Sequence, residues 1–306
     1  MGAGDGAEGL VLRGEAYPTA GSSLEAWETM TEADALRAAT SAQSEGNTER
    51  RESIVAGRSH APPTAPVALH ELVSAKCGAQ GFSTGTFQPA AGLPCHKHAF
   101  SEAVTILAGE ALCRVEGRTY LLRLLDCIHI PAGTAHVVQN ASSHELLIAH
   151  WSFATPIPSR ELVENTFTTE DRRFSNPNHD DPEHIVRFED ARKYDLADGT
   201  QFCDLFAGRF GADGICGGYG EFNPGSSLPC HIHEYDESIS IVTGEAICEV
   251  MGQRYRLSNY DTAFVPRGRP HRFLNESQGC MAMVWVYAAG EPERVIVEAR
   301  RCTERP

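Results

Sequence analysis

The residues best equipped for chemistry form one set of four and its copy. His231 and His233 stand two apart, Glu237 follows four later, and His271 lies beyond the turn at 266–268. On a β-strand, residues i and i+2 share a face, so both imidazoles point the same way, and Glu237 keeps that parity across a short bend. Three imidazoles and a carboxylate on one face suit a first-row divalent metal. His96, His98, Glu102 and His136 repeat the set 135 positions earlier. From 94–140 to 229–275 no gap is needed, and 19 of 47 positions are identical. Each copy is therefore read as one structural unit.

The elements that must position these residues read as short strands. The segment 103–107 is apolar and β-branched and ends at Gly109. The segment 111–115 turns at Glu116 and Gly117, and 127–130 leads into the turn at Pro131. Strands at this pitch, with turn signals between them, predict a barrel or jelly roll. Gly85 and Phe87 are matched with Gly220 and Phe222, and Trp151 with Trp285 when one residue is dropped. The donor set fits Fe(II) or Mn(II), which hold six ligands and would keep two positions open; Zn, Ni, Co and Cu also accept imidazole. Structural zinc prefers four ligands, often thiolates, and no cysteine here has the matching parity.

The spacing H-x-H-x3-E-x6-G followed by P-x-G-x2-H-x3-N resembles the two motifs of the cupin superfamily. Two copies make the chain resemble a bicupin. The resemblance implies an all-β fold of two double-stranded β-helix (cupin, jelly-roll) barrels in one chain, with a short helical N-terminal extension. One departure is visible. The second motif of cupins usually opens with Gly, whereas here Leu125 and Asp126, or Tyr260 and Asp261, stand there. The expected organisation is an extension at 1–60, barrels at 61–156 and 191–306, and a linker at 157–190. A capping pattern at 31–34 places the short helix in the extension. The tail at 298–306 is expected to fray.

Composition narrows the partners. The chain has 306 residues, 41 acidic and 26 basic, with a net charge of −15. That balance argues against nucleic acid or an anionic membrane surface. No apolar run spans a bilayer and no secretory signal opens the chain, so a cytoplasmic protein is expected. The ten cysteines include no C-x-x-C pair and are read as reduced thiols. Cys95 and Cys230, each beside a ligand His, should face away from the site.

Function is less sharply drawn, because one fold hosts many chemistries. The leading expectation is a non-haem Fe or Mn oxidoreductase of the dioxygenase type, acting on a small organic substrate, with Glu102 or Glu237 shifting its coordination. The alternatives are a non-redox isomerase, lyase or decarboxylase of a small oxygenated acid or sugar, and a non-catalytic small-molecule-binding bicupin. A homo-oligomer is compatible with either. Val104, Ile106 and Val138, with Ile239, Ile241 and Phe273, share the ligands' parity and would give an apolar floor. His129 and His150 have no histidine counterpart in the second copy and are candidate acid–base groups. Arg267, Arg269 and Arg272 flank His271 and would bind an anionic substrate if they pointed inward. His179 and His184 sit in an acidic loop and are read as loop residues.

Overall fold

The computed structural model describes residues 10–12, 67–89 and 93–304. The helix expected after position 31 lies outside the described residues. The rest is two β-barrels, each made of two facing sheets. In the first barrel one sheet runs in the order His184–Val186, Cys127–Ile130, Glu102–Ala108, Ile148–Phe153, Ser83–Pro89, Val67–Val73. The facing sheet runs Glu161–Leu162, His96–Lys97, His136–Asn140, Ala111–Val115, Arg118–Leu122, Glu170–Asp171. The second barrel repeats this, with Leu10–Leu12 as the edge strand beside Thr262–Val265.

Alternation builds the strands. In Ala111–Val115, residues Ala111, Cys113 and Val115 are fully buried while Leu112 and Arg114 are partly exposed. Glu116 and Gly117, like Met251 and Gly252, all take positive φ and form two-residue hairpin turns, the geometry that matches strand twist. Gly109 has φ +73, and a Cβ there would lie 2.3 Å from the carbonyl oxygen of Leu146. Its copy Gly244 is equally closed in by Cys280.

Where the second motif departs from glycine, the backbone does not. Leu125 and Tyr260 take φ 64 and 67, the left-handed region glycine would favour. The following Asp126 and Asp261 hold each turn by accepting the backbone N–H of Arg123 at 3.0 Å and of Ser258 at 2.8 Å.

Three interior clusters follow. Val104, Ile106 and Val138 lie in the core of the first barrel, and Ile239, Ile241 and Phe273 in that of the second. A third cluster joins the barrels through their outward faces, with Ala103, Leu107 and Cys127 against Leu205, Phe264 and Val284. Thr84 and Ser238 hydrogen bond across it at 3.2 Å.

Several expectations change. The register sets Gly85 opposite Trp151 and Gly218 opposite Trp285, so Gly218, not Gly220, is the partner of Gly85. In both places the indole lies where a Cβ would be, 2.2 Å and 2.6 Å away. Two extra residues after the second glycine strand hid this register. The segment 157–190, expected as a linker, supplies three short strands to the first barrel. Within it Glu183 is buried and takes Arg118 at 2.7 and 2.8 Å and Tyr120 at 2.8 Å.

The cysteine expectation fails at one pair: Cys230 and Cys302 form a disulfide. It anchors the tail, where Arg300–Thr303 makes a helical turn and Cys302 is fully buried, so residues 300–303 do not fray. Cys95, the copy of Cys230, stays free. The matched bonds Val163 N–H to Cys95 O and Val297 N–H to Cys230 O, each 2.9 Å, set the tail in register with 163 onward. That register puts Thr168 where Cys302 stands, so Cys95 has no thiol to meet.

Candidate metal centres

One antiparallel strand pair underlies each centre. His96 pairs directly with His136, and His231 with His271. Glu102 and Glu237 open a strand of the opposite sheet, and His98 and His233 sit in the bend between. All eight side chains are buried. In each set the donor atoms lie within 4.8 Å of one another. The four sequence-derived residues of each copy are thus brought together as a group.

Backbone carbonyls orient the imidazoles. The Nδ1 of His96 bonds Pro94 O at 2.7 Å, that of His98 bonds Ser159 O at 2.6 Å, and that of His136 bonds Thr134 O at 3.0 Å. The second set uses Pro229, Glu293 and Arg269, each at 2.8 Å. A carbonyl only accepts, so each Nδ1 carries the proton and each Nε2 presents a lone pair. These Nε2 atoms face a carboxylate. His136 Nε2 is 2.8 Å and His271 Nε2 2.6 Å from the glutamate oxygen. The Nε2 atoms of His98, His136, His233 and His271 and the facing oxygens of Glu102 and Glu237 are buried without a hydrogen-bond partner. Converging lone pairs of this kind fit a bound cation, with the second nitrogen held by an outer partner.

The electrostatics agree. Burial alone would raise the Glu102 carboxyl, but His136 and His98 outweigh it and hold the group well below its usual range; His271 and His233 do the same for Glu237. Burial, helped by the neighbouring imidazoles, pushes His96 and His231 well below the ordinary histidine value. Ionised Glu102 and neutral His96 suit metal binding, whereas the Glu102 carboxylate raises His136, whose Nε2 would give up any proton as a cation binds.

The centres differ in their surroundings. The first opens onto a cavity of about 170 Å³ reached by His96, His98 and Glu102. Its walls are apolar, from Leu69, Phe87, Leu93, Trp151 and Phe153, and Glu71, Lys76, Ser159 and Arg160 add polar groups. The residues expected as its floor, Val104, Ile106 and Val138, lie deeper in the core. In the second centre Tyr235 and Tyr287 replace Phe100 and Phe153 beside the ligand histidine. Comparing the two copies position by position marks both exchanges; Lys76 and Arg160, outside the repeat motifs, carry no such mark.

Other candidates fall elsewhere. His129 and His150 face the barrel–barrel contact, not a metal, and burial pushes both down to about 4. Arg272 bonds Glu249 at 2.6 Å, and Arg267 and Arg269 line a groove outside the second barrel. His179 is fully exposed beside Asp180, and His184 stacks on Phe210 at 5.1 Å. Among the described residues, no helix is long and apolar enough to cross a membrane.

A family profile described as Cupin domain matches residues 83–152 and 218–287. The fold is similar to oxalate decarboxylase of Lactobacillus farciminis in its formate complex, with a TM-score of 0.60, 15% identity, and coverage of 75% of this chain and 83% of that one. It is also similar to oxalate decarboxylase from Bacillus subtilis at pH 4.6, with a TM-score of 0.61, 14% identity, and coverage of 75% and 74%. Identities this low show a shared fold. A curated protein, the endoribonuclease YbeY of Myxococcus xanthus (strain DK1622), is 39% identical over 56 residues, 18% of this chain. The chain spans 19% of that relative's length.

Proposed function

The chain is a bicupin of the cupin superfamily, and we propose that it is a metal-dependent enzyme of the non-redox decarboxylase or lyase type, acting on a small carboxylate at the first barrel. The observation that carries this reading is the first cavity. It combines three metal donors, apolar walls, and the cationic side chains Lys76 and Arg160. The donor set alone led to a dioxygenase expectation; the cationic groups in a small apolar cavity, and bicupin neighbours named as oxalate decarboxylases, favour the non-redox alternative.

His96, His98, Glu102 and His136 would hold the metal, for which Mn(II) is the proposed identity. When bound, it would supply a Lewis acid that stabilises negative charge on substrate oxygen. The chain's own groups do the rest. Arg160 offers a planar fork for one carboxylate end, and Lys76 a point charge. Leu69, Phe87, Leu93, Trp151 and Phe153 keep water from the carboxylate, which weakens its solvation. Loss of carbon dioxide breaks one C–C bond and leaves its electron pair on the substrate carbon, which then takes a proton. Water at the cavity mouth would supply that proton, and Glu71, which accepts from Ser74 Oγ at 2.5 Å and lies 3.2 Å from Lys76, holds the lysine in place.

The test is a panel of short mono- and dicarboxylates, oxalate included, given to Mn(II)-loaded protein while carbon dioxide and dissolved oxygen are followed together. Carbon dioxide release without net oxygen uptake is expected. Oxygen consumed in step with an oxygenated product would return the protein to the dioxygenase reading.

A further inference from the structure

Outside the second barrel the turn before His271 and the disulfide-anchored tail enclose a groove of about 590 Å³. Four arginines line it, Arg267, Arg269, Arg300 and Arg301, against one acid, Glu304. That is a dense positive patch on a chain of net charge −15. Arg269 lies against Met251 Sδ at 3.1 Å, and Arg300 bonds Glu298 at 2.5 Å. Arg267 and Arg301 form no ion pair among the described residues, and both are exposed.

The groove is braced from two sides. Cys302 is tied to Cys230, and its carbonyl accepts from Gly252 N–H at 2.6 Å. Gly268 N–H donates to His233 O at 2.7 Å. Among the described residues the first barrel has no such patch. Ala132 and Thr134 stand for Arg267 and Arg269, and the tail register puts Thr166 and Phe167 in place of Arg300 and Arg301. The exposed guanidinium forks of Arg267 and Arg301 match the oxygens of phosphate and carboxylate groups in two-point contacts.

We propose that this groove is an anion-binding site, separate from both metal centres, for a small molecule carrying two or more phosphate or carboxylate groups. The probes are inorganic pyrophosphate and propane-1,2,3-tricarboxylate, titrated calorimetrically into the full metal-bearing chain at low salt. One saturable site per chain is expected, weakening as salt rises. The tighter probe tells whether phosphate or carboxylate is the natural chemistry.

Arg267→Ala and Arg301→Ala should each weaken binding by about tenfold or more. Arg256→Ala, which removes an exposed arginine paired with Glu245, should leave it unchanged. Both groove side chains are exposed, so these variants should keep the wild-type circular dichroism. Failure of both probes to saturate, or wild-type binding by the Arg267→Ala/Arg301→Ala double variant, would overturn the proposal. The second result would place the anion at a metal centre instead.

Discussion

The ring of Tyr287 lies 4.5 Å from the imidazole of His233, in the place that Phe153 takes 4.6 Å from His98. Burial and the charge of Glu237 push this phenol well above its ordinary range, so it stays protonated beside the carboxylate. Phe153 has no hydroxyl to offer Glu102. The two centres therefore share their donors and differ in the ring packed beside the ligand histidine.

Tyr287→Phe makes the second centre like the first. The Mn(II) electron paramagnetic resonance signal of that centre should change, because the hydroxyl dipole near Glu237 is removed. Turnover assigned to the first centre should stay within about twofold. A larger fall would locate catalysis in the second barrel.

Removing a ligand tests occupancy. His136→Ala and His271→Ala should each cost one metal equivalent per chain by elemental analysis, and only His136→Ala should abolish turnover. Chelation should lower the melting temperature of wild type, because a metal that binds only the folded chain stabilises it.

His150 gives an acid sensitivity with a defined sign. Below the ordinary histidine value of about 6.5 the unfolded chain takes up a proton that the folded chain refuses until about pH 4. Stability is therefore lost as pH falls through that window. Its place in the second barrel is taken by Val284, also buried at the barrel contact. Denaturant melts at pH 7 and pH 4 should show His150→Val losing roughly 3 kcal/mol less than wild type.

The left-handed turns separate strain from burial. Tyr260 is 39% exposed, so Tyr260→Gly relieves the backbone at small packing cost and should stabilise by about 1 kcal/mol. Leu125 is 7% exposed in the inter-barrel cluster, and Leu125→Gly should destabilise, since the lost burial of about 2 kcal/mol or more outweighs the relief.

Reduction of the Cys230–Cys302 bridge, or Cys302→Ser, should cost roughly 2–4 kcal/mol, because the bridge closes a separation of 72 residues. Urea melts with and without reductant measure this. Cys95→Ser should show no matching loss.

Much of this protein was legible without coordinates. Strand parity and a two-residue spacing suffice to put His96 beside His98, and the gap-free repeat does the same for His231 and His233. The turn residues and alternating burial that make the fold all-β are equally local. The tertiary structure decided what depends on chain closure. Ser159 and Glu293 lie about 60 positions from the histidines they orient, and they act through backbone carbonyls, which have no side-chain signature. Cys302 finds Cys230 because the tail strand pairs beside His231, whereas Thr168 leaves Cys95 alone. His129 and His150 stand out in the sequence because Phe264 and Val284 take their places in the second copy, and the stacking of two barrels shows that their side of the sheet is an interface. Lys76 and Arg160 reach the first cavity from opposite sides of the repeat, a meeting that sequence spacing does not encode.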